Sequence, residues 1–262
     1  MKNILDNIVA DKRKEVDLRQ SIIPVKQLEA SVLFDRETYS LSHALKNSTS
    51  GIIAEHKRRS PSKSVINQSL NVQDVAKGYE SAGVCGMSVL TDGKYFGGSL
   101  DDLLLARASS QLPLLRKEFI INPYQIIEAK AYGADVILLI AAILSRDEIK
   151  AFSELAKSLE LDVLLEVHND EELQKSVMPS LDMLGVNNRN LKTFEVSLET
   201  SKQLSEQIPN DFVKVSESGI SSVNAIKELR PYGYKGFLIG ENFMKTDNPG
   251  ISAKKFINEL NE

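Results

Sequence analysis

The order of strand and helix signals predicts an α/β protein, a (β/α)8 TIM barrel preceded by an N-terminal helical extension. Three observations carry that prediction. From Gly51 onward, short β-rich runs alternate with amphipathic helical stretches. The runs number eight, the count that closes a barrel. No glycine-rich dinucleotide loop follows any of them, which sets aside a doubly wound open sheet. The 262 residues suit one such barrel, so 1–262 reads as a single domain, with 1–50 the extension and 51–262 the barrel.

In the extension, Ile4, Leu5, Ile8 and Val9 recur at helical spacing ahead of a charged stretch from Asp11 to Arg19. Pro24 opens a second short helix, and Leu41, Ala44 and Leu45 mark a third. These helices have apolar faces that need something to cover. The eight strand signals are Gly51–Glu55, Val84–Leu90, Pro113–Lys117, Val136–Ala141, Asp162–Glu166, Met183–Asn187, Phe212–Glu217 and Gly236–Gly240. Between them lie helical segments such as Val72–Ser81, Ser145–Leu159, Glu171–Val177, Leu198–Gln207 and Val223–Leu229. Ala82-Gly83, Tyr132-Gly133 and Tyr232-Gly233 fall where helices should stop. Each crossover carries a helix, as a parallel sheet requires.

Composition excludes several classes. With 42% hydrophobic and 26% charged residues the chain is neither fibrous nor disordered. A net charge of −4 gives no basic face for nucleic acid or a membrane surface. The one cysteine, Cys85, leaves no internal disulfide and suggests a reducing compartment. Met1-Lys2-Asn3 runs quickly into charge with no signal-peptide core, and the longest apolar run, Val136–Leu144, is far short of a bilayer span. A cytoplasmic monomer with a small anionic ligand is expected.

Barrel active sites lie at the carboxyl ends of the strands. There, period-two alternation puts Glu55 with Lys57, Lys117 with Leu115 and Phe119, Glu166 with Leu164, Asn187 with Arg189, and Glu217 with Val215. Singly, each reads equally well as part of a structural ion network. Together, five strands that begin apolar and finish polar on the same parity point to a site. Ser218-Gly219 after the seventh strand and Gly240-Glu241 after the eighth offer small residues where barrels commonly cradle phosphate. The cationic loop Lys57 to Ser64 is long enough to form a lid over an anionic substrate.

Other candidates are weaker. His56 has the parity of the helical layer, His168 lies past Glu166 as a solvated rim residue, and Cys85 reads as a small core residue. No spacing of His, Cys or carboxylates resembles a metal site.

The stretch Ile53-Ala54-Glu55-His56-Lys57-Arg58-Arg59-Ser60-Pro61-Ser62-Lys63 closely resembles the first-strand pattern I-A-E-x-K-R-x-S-P-S-K of the indole-3-glycerol phosphate synthase family. Leu115–Phe119, Leu165–His168, Gly185–Leu191 and Ser216–Ile220 extend the resemblance over almost the whole chain. Departures are His56, Arg59, Ser64 and Glu241; a carboxylate at Glu241 is unfavourable beside phosphate unless it points away.

The resemblance implies a carboxy-lyase of tryptophan biosynthesis. It would convert 1-(2-carboxyphenylamino)-1-deoxyribulose 5-phosphate into indole-3-glycerol phosphate, CO2 and water, with no metal or organic cofactor. It makes Lys117 the general acid, with a pKa expected to be lowered by desolvation. Lys57 would bind the substrate carboxylate and share in proton transfer, and Glu166 would serve the dehydration. Glu55, Asn187 and Glu217 would hold the lysines and substrate hydroxyls in register. Ser60, Phe96, Phe119, Arg189 and Leu191 would line the anthranilate side. Ser218, Gly219, Leu238, Gly240 and the backbone at Glu241 would hold the phosphate. Three alternatives stay open: a phosphoribosylanthranilate isomerase-like barrel, a Schiff-base aldolase with Lys117 as nucleophile, and a non-catalytic phosphate-ligand-binding barrel.

Overall fold

The computed structural model describes residues 4–61, 63–191 and 193–262; Met1-Lys2-Asn3 and Ser62, both read above, lie outside the described residues. Three helices come first: α1 (Ile4–Ile22), α2 (Val25–Glu29) and α3 (Leu41–Lys46). The barrel then runs β1 (Ile52–His56), α4 (Val72–Ala82), β2 (Gly86–Leu90), α5 (Gly93–Phe96), α6 (Leu100–Ser109), β3 (Leu114–Lys117), α7 (Pro123–Ala131) and β4 (Val136–Ile140). It continues with α8 (Arg146–Ser158), β5 (Asp162–Val167), α9 (Asp170–Ser176), β6 (Met183–Asn187), α10 (Glu199–Ser205), β7 (Val213–Glu217), α11 (Val223–Leu229), β8 (Tyr234–Ile239), α12 (Glu241–Met244) and α13 (Pro249–Asn261). Neighbouring strands pair in parallel in chain order, and β8 returns to β1 to close the barrel.

Local chemistry fixes the helix starts. Asn71, Asn169 and Ser222 cap α4, α9 and α11 by accepting backbone N–H bonds, and Ser145 with Glu148 forms a capping box on α8. Strand limits fall within two residues of those expected, and the shifts have causes. Val84 still donates to Tyr79 O and so closes α4, which delays β2 to Gly86. A register shift between Lys214 and Val215 lets β8 begin at Tyr234 rather than Gly236.

Alternation gives every strand two buried faces. Ile52, Ala54, Met87, Val89, Leu139, Leu165 and Val186 pack outward against the helices. Ile53, Leu115, Leu138, Leu164, Val215 and Leu238 fill the barrel interior. His56 has the outward parity expected of it; burial, then the charge of Arg58, pushes its pKa down to about 4.

The extension covers both ends of the barrel. At the amino-terminal end, Leu41 and Leu45 of α3 join the inner core, and a Cβ on Gly86 would meet Leu41 at 2.6 Å. At the carboxyl end, α1 is fastened by Lys12, which is 2% exposed. Its Nζ lies 2.9 Å from Asp92 and 3.1 Å from Glu118, with Glu15 at 2.8 Å. Glu118 directly follows Lys117, so this anchor sits behind the rim of the candidate site. Removing one partner of a buried ion cluster leaves the others uncompensated. Lys12→Met is therefore expected to lower unfolding stability by about 3 kcal/mol or more, measured by urea denaturation at pH 7; a loss below about 1 kcal/mol would show that the anchor is dispensable.

Candidate active site

The inward parity of β1, β3, β5 and β7 brings Glu55, Lys117, Glu166 and Glu217 to one place at the carboxyl ends of the strands. Lys117 Nζ donates to Glu217 Oε2 at 2.7 Å and lies 3.7 Å from Glu55 and 3.9 Å from Glu166. Lys57, just past β1, pairs with Glu55 at 2.5 Å. Glu55 thus bridges two ammonium groups, and Glu217 lies beneath Lys117, 1% exposed and away from the cavity wall.

Small residues make room for these carboxylates. A Cβ on Gly185 of β6 would meet Glu217 Oε1 at 2.5 Å, and one on Gly240 would collide with the Glu55 carboxylate. Gly240, expected only as a phosphate-loop residue, is thereby also required by the charge cluster.

The electrostatics reverse one expectation. Burial alone lowers the pKa of Lys117, but the Glu217, Glu55 and Glu166 carboxylates outweigh it and hold the ammonium well above its ordinary range. Glu55 is raised by burial yet held below the usual carboxylate range by Lys57 and Lys117. Glu217 pays for the surplus negative charge: burial and neighbouring Glu166 push it up to about 7 despite Lys117.

Above the cluster opens a cavity of about 380 Å³. Its wall includes Glu55, Lys57, Ser60, Phe96, Lys117, Phe119, Glu166, Asn187, Arg189 and Leu191, and also Ser218, Gly219, Leu238, Gly240 and Glu241. The structure therefore gathers every expected site residue around one space, with Glu217 directly behind it. The Phe96 and Phe119 rings meet tilted at 41° with 6.0 Å between centroids, forming an apolar wall. Asn187 accepts the backbone N–H of Arg189 at 3.0 Å. Ser218 and Gly219 take φ of 64° and 81°; for serine this is a strained conformation of a kind that clusters at ligand sites. Asn188 fixes it by donating to Ser218 O at 3.0 Å.

Several features depart from the sequence reading. His168 is not a solvated rim residue: its side chain is 10% exposed, with Nε2 3.4 Å from Glu166 and Nδ1 3.1 Å from Glu172. The Glu241 carboxylate is taken up by Lys63 at 2.7 Å, which holds its pKa below the ordinary value. Of the loop cations, Arg58 pairs with Asp102, and Arg59 donates to Gly93 O and Lys94 O at 2.7 and 2.9 Å. That loop is tied to its neighbours, and among its described cations Lys57 is the one that lines the cavity. Sequence reasoning also missed that Ile4, Leu5 and Ile8 of α1 line the cavity, as do Phe194 and Lys245. Their helical spacing was visible, but not the surface they meet. Cys85 is a buried core residue next to Ser50, at the opposite end of the barrel. Among the described residues, no group of three or more His, Cys, Asp or Glu is placed to hold a metal ion, and no helix is long and apolar enough to cross a membrane.

Comparison with known proteins gives the family. The family model described as indole-3-glycerol phosphate synthase matches residues 5–259. An indole-3-glycerol phosphate synthase of Bacteroides thetaiotaomicron is 47% identical over 260 residues, 99% of this chain and 100% of the relative. One from Polaromonas naphthalenivorans is 40% identical, again over 99% of this chain and 100% of its own length. Among solved structures, 3-hexulose-6-phosphate synthase from Salmonella typhimurium superposes with a TM-score of 0.64 at 12% identity, over 80% of this chain and 98% of that one. At that identity the likeness concerns the barrel fold alone. Full-length matches at this level leave one conclusion: the chain belongs to the indole-3-glycerol phosphate synthase family.

Proposed function

We propose that the chain converts 1-(2-carboxyphenylamino)-1-deoxyribulose 5-phosphate into indole-3-glycerol phosphate, CO2 and water. The observation that carries this reading is a lysine gripped by three carboxylates at the floor of a cavity with an aromatic wall, beside a second lysine on the same side. Ring closure turns a carbonyl oxygen into an alkoxide, which needs a loaded proton donor. Lys117 is kept charged for that purpose, and the alkoxide is more basic than an amine, so transfer runs downhill. Lys57 draws the substrate carboxylate to the cavity, and Glu166 handles the protons of the dehydration. Glu55 and Asn187 hold the lysines and substrate hydroxyls in register, and Glu217 supports Lys117 from behind.

Phe96, Phe119 and Leu191 give the anthranilate ring an apolar wall, with Ser60 and Arg189 at its edge. The phosphate takes the end of the cavity formed by Ser218, Gly219, Leu238, Gly240 and the backbone of Glu241. Neutralisation of the Glu241 carboxylate by Lys63 removes the objection to an anion there. Decarboxylation is driven by the iminium formed on closure, so this scheme draws on side chains alone.

The alternatives fit less well. A Schiff-base mechanism needs a neutral amine, and the three carboxylates favour the ammonium form of Lys117. Isomerase chemistry resting on a cysteine has no candidate at the rim, because Cys85 is buried at the other end.

Two outcomes test the roles. Lys117→Ala should lower kcat, followed by indole fluorescence, by at least about 10²-fold, the scale of a lost general acid; a change of only a few-fold would remove Lys117 from that role. Glu217→Gln deletes one of the charges that raise Lys117. The alkaline fall in kcat should then move to lower pH by roughly one pH unit or more, read from a kcat–pH profile; an unmoved or higher limb would contradict the assignment.

A further inference from the structure

The reaction proposed above has a proton requirement that Lys117 and Glu166 do not meet by themselves. A C–C bond forms from the ring carbon bearing the carboxylate to the carbonyl carbon, and one proton goes onto the carbonyl oxygen. The bond to the carboxylate then breaks, its electron pair stays with the ring, and CO2 leaves. Dehydration breaks the C–O bond, adds a proton to the departing hydroxyl and takes one from the adjacent ring carbon. Two protons are given and one is recovered. Each turnover of the carboxylate form therefore draws one proton from solvent into the site.

Glu166 is 5% exposed, and its Oε2 faces Lys117 at 3.9 Å. Its other oxygen, Oε1, faces His168 Nε2 at 3.4 Å. That nitrogen is buried and makes no hydrogen bond among the described residues, so it is aimed at Glu166 without being committed elsewhere. On the far side of the ring, Nδ1 meets Glu172 Oε2 at 3.1 Å, and the same oxygen accepts the His168 backbone N–H at 2.8 Å. Asn169 Nδ2 holds the second Glu172 oxygen at 3.0 Å. The ring is thus locked between two carboxylates. Beyond it lies a second cavity of about 520 Å³, lined by His168, Asn169, Glu172, Asn188 and Asn190. Asn187 and Arg189 line both this cavity and the first.

From this geometry we propose that His168 is a positioning residue that passes protons from the Glu172 cavity, which adjoins the substrate cavity, to Glu166. The proposal rests on the synthase reading. When Glu166 has given up its proton, the loaded ring delivers its Nε2 proton and is left neutral, with its remaining proton on Nδ1 towards Glu172. One proton from the cavity side, with exchange of the proton between the two ring nitrogens before the next turnover, restores the loaded ring. The groups facing the ring are Glu166 from β5, Glu172 from α9 and Glu217 from β7. Burial alone lowers the imidazole pKa, but these carboxylates outweigh it and raise it, which favours the proton-carrying form of the ring.

The test uses the full chain and the carboxyphenylamino-deoxyribulose phosphate, with His168→Asn and Glu172→Gln. Both variants should lose about 10-fold or more in kcat while KM stays within about threefold, since the lost function is proton supply rather than binding. Added imidazole should restore kcat to His168→Asn in proportion to its protonated concentration, and the solvent deuterium isotope effect on kcat should rise. A merely structural role would move neither readout. The proposal is overturned if both variants keep kcat within about twofold, or if kcat falls with no buffer rescue and an unchanged isotope effect. If His168→Asn fails to fold, Glu172→Gln decides alone, because its amide oxygen preserves the backbone contact. Wild-type protein inactive on this substrate would instead overturn the synthase reading beneath the proposal.

Discussion

Burying an ammonium among three carboxylates is costly unless each charge is matched, and the mouth of this barrel is arranged to meet that condition. Two lysines, Lys57 and Lys117, face Glu55, Glu166 and Glu217. The surplus negative charge is relieved by Glu217, whose pKa is pushed up to about 7. Glu55 stays ionised between the two ammonium groups, and Lys117 stays charged. Gly185 and Gly240 exist in their present form because a side chain on either would occupy space the carboxylates need.

The rest of the molecule supports that cluster from two directions. The closed sheet sets strand ends side by side, so Lys117 and Glu217, 100 positions apart, converge within hydrogen-bond range. The extension completes the site: α3 plugs the amino-terminal end, while Lys12 pins α1 to Asp92 and Glu118 and brings Ile4, Leu5 and Ile8 into the cavity wall. Arg58, Arg59 and Lys63 spend their charge on tethering the loop after β1, which leaves Lys57 as the described loop cation facing the substrate space.

Much of this was legible in the sequence because a strand has a simple period. Alternation alone places Glu55, Lys117, Glu166 and Glu217 inward and His56 outward, and the apolar runs mark every strand to within two residues. What escaped depends on contacts that the period does not encode. The pKa direction of Lys117 was misjudged because burial can be read from a strand pattern, whereas the convergence of three distant carboxylates cannot. Lys63 and Glu241 are paired across 178 positions. His168 is a nearer miss: its spacing of four from Glu172 was available, and the turn from β5 into α9 makes that spacing a contact.

The central claim is that the carboxylate cage keeps Lys117 loaded with its proton. The most direct measurement is the titration of the Lys117 side-chain amine by NMR, with the signal assigned through Lys117→Arg. The account predicts a midpoint above the ordinary lysine value of 10.5. A midpoint at or below that value would contradict it, because burial rather than the three carboxylates would then govern the lysine.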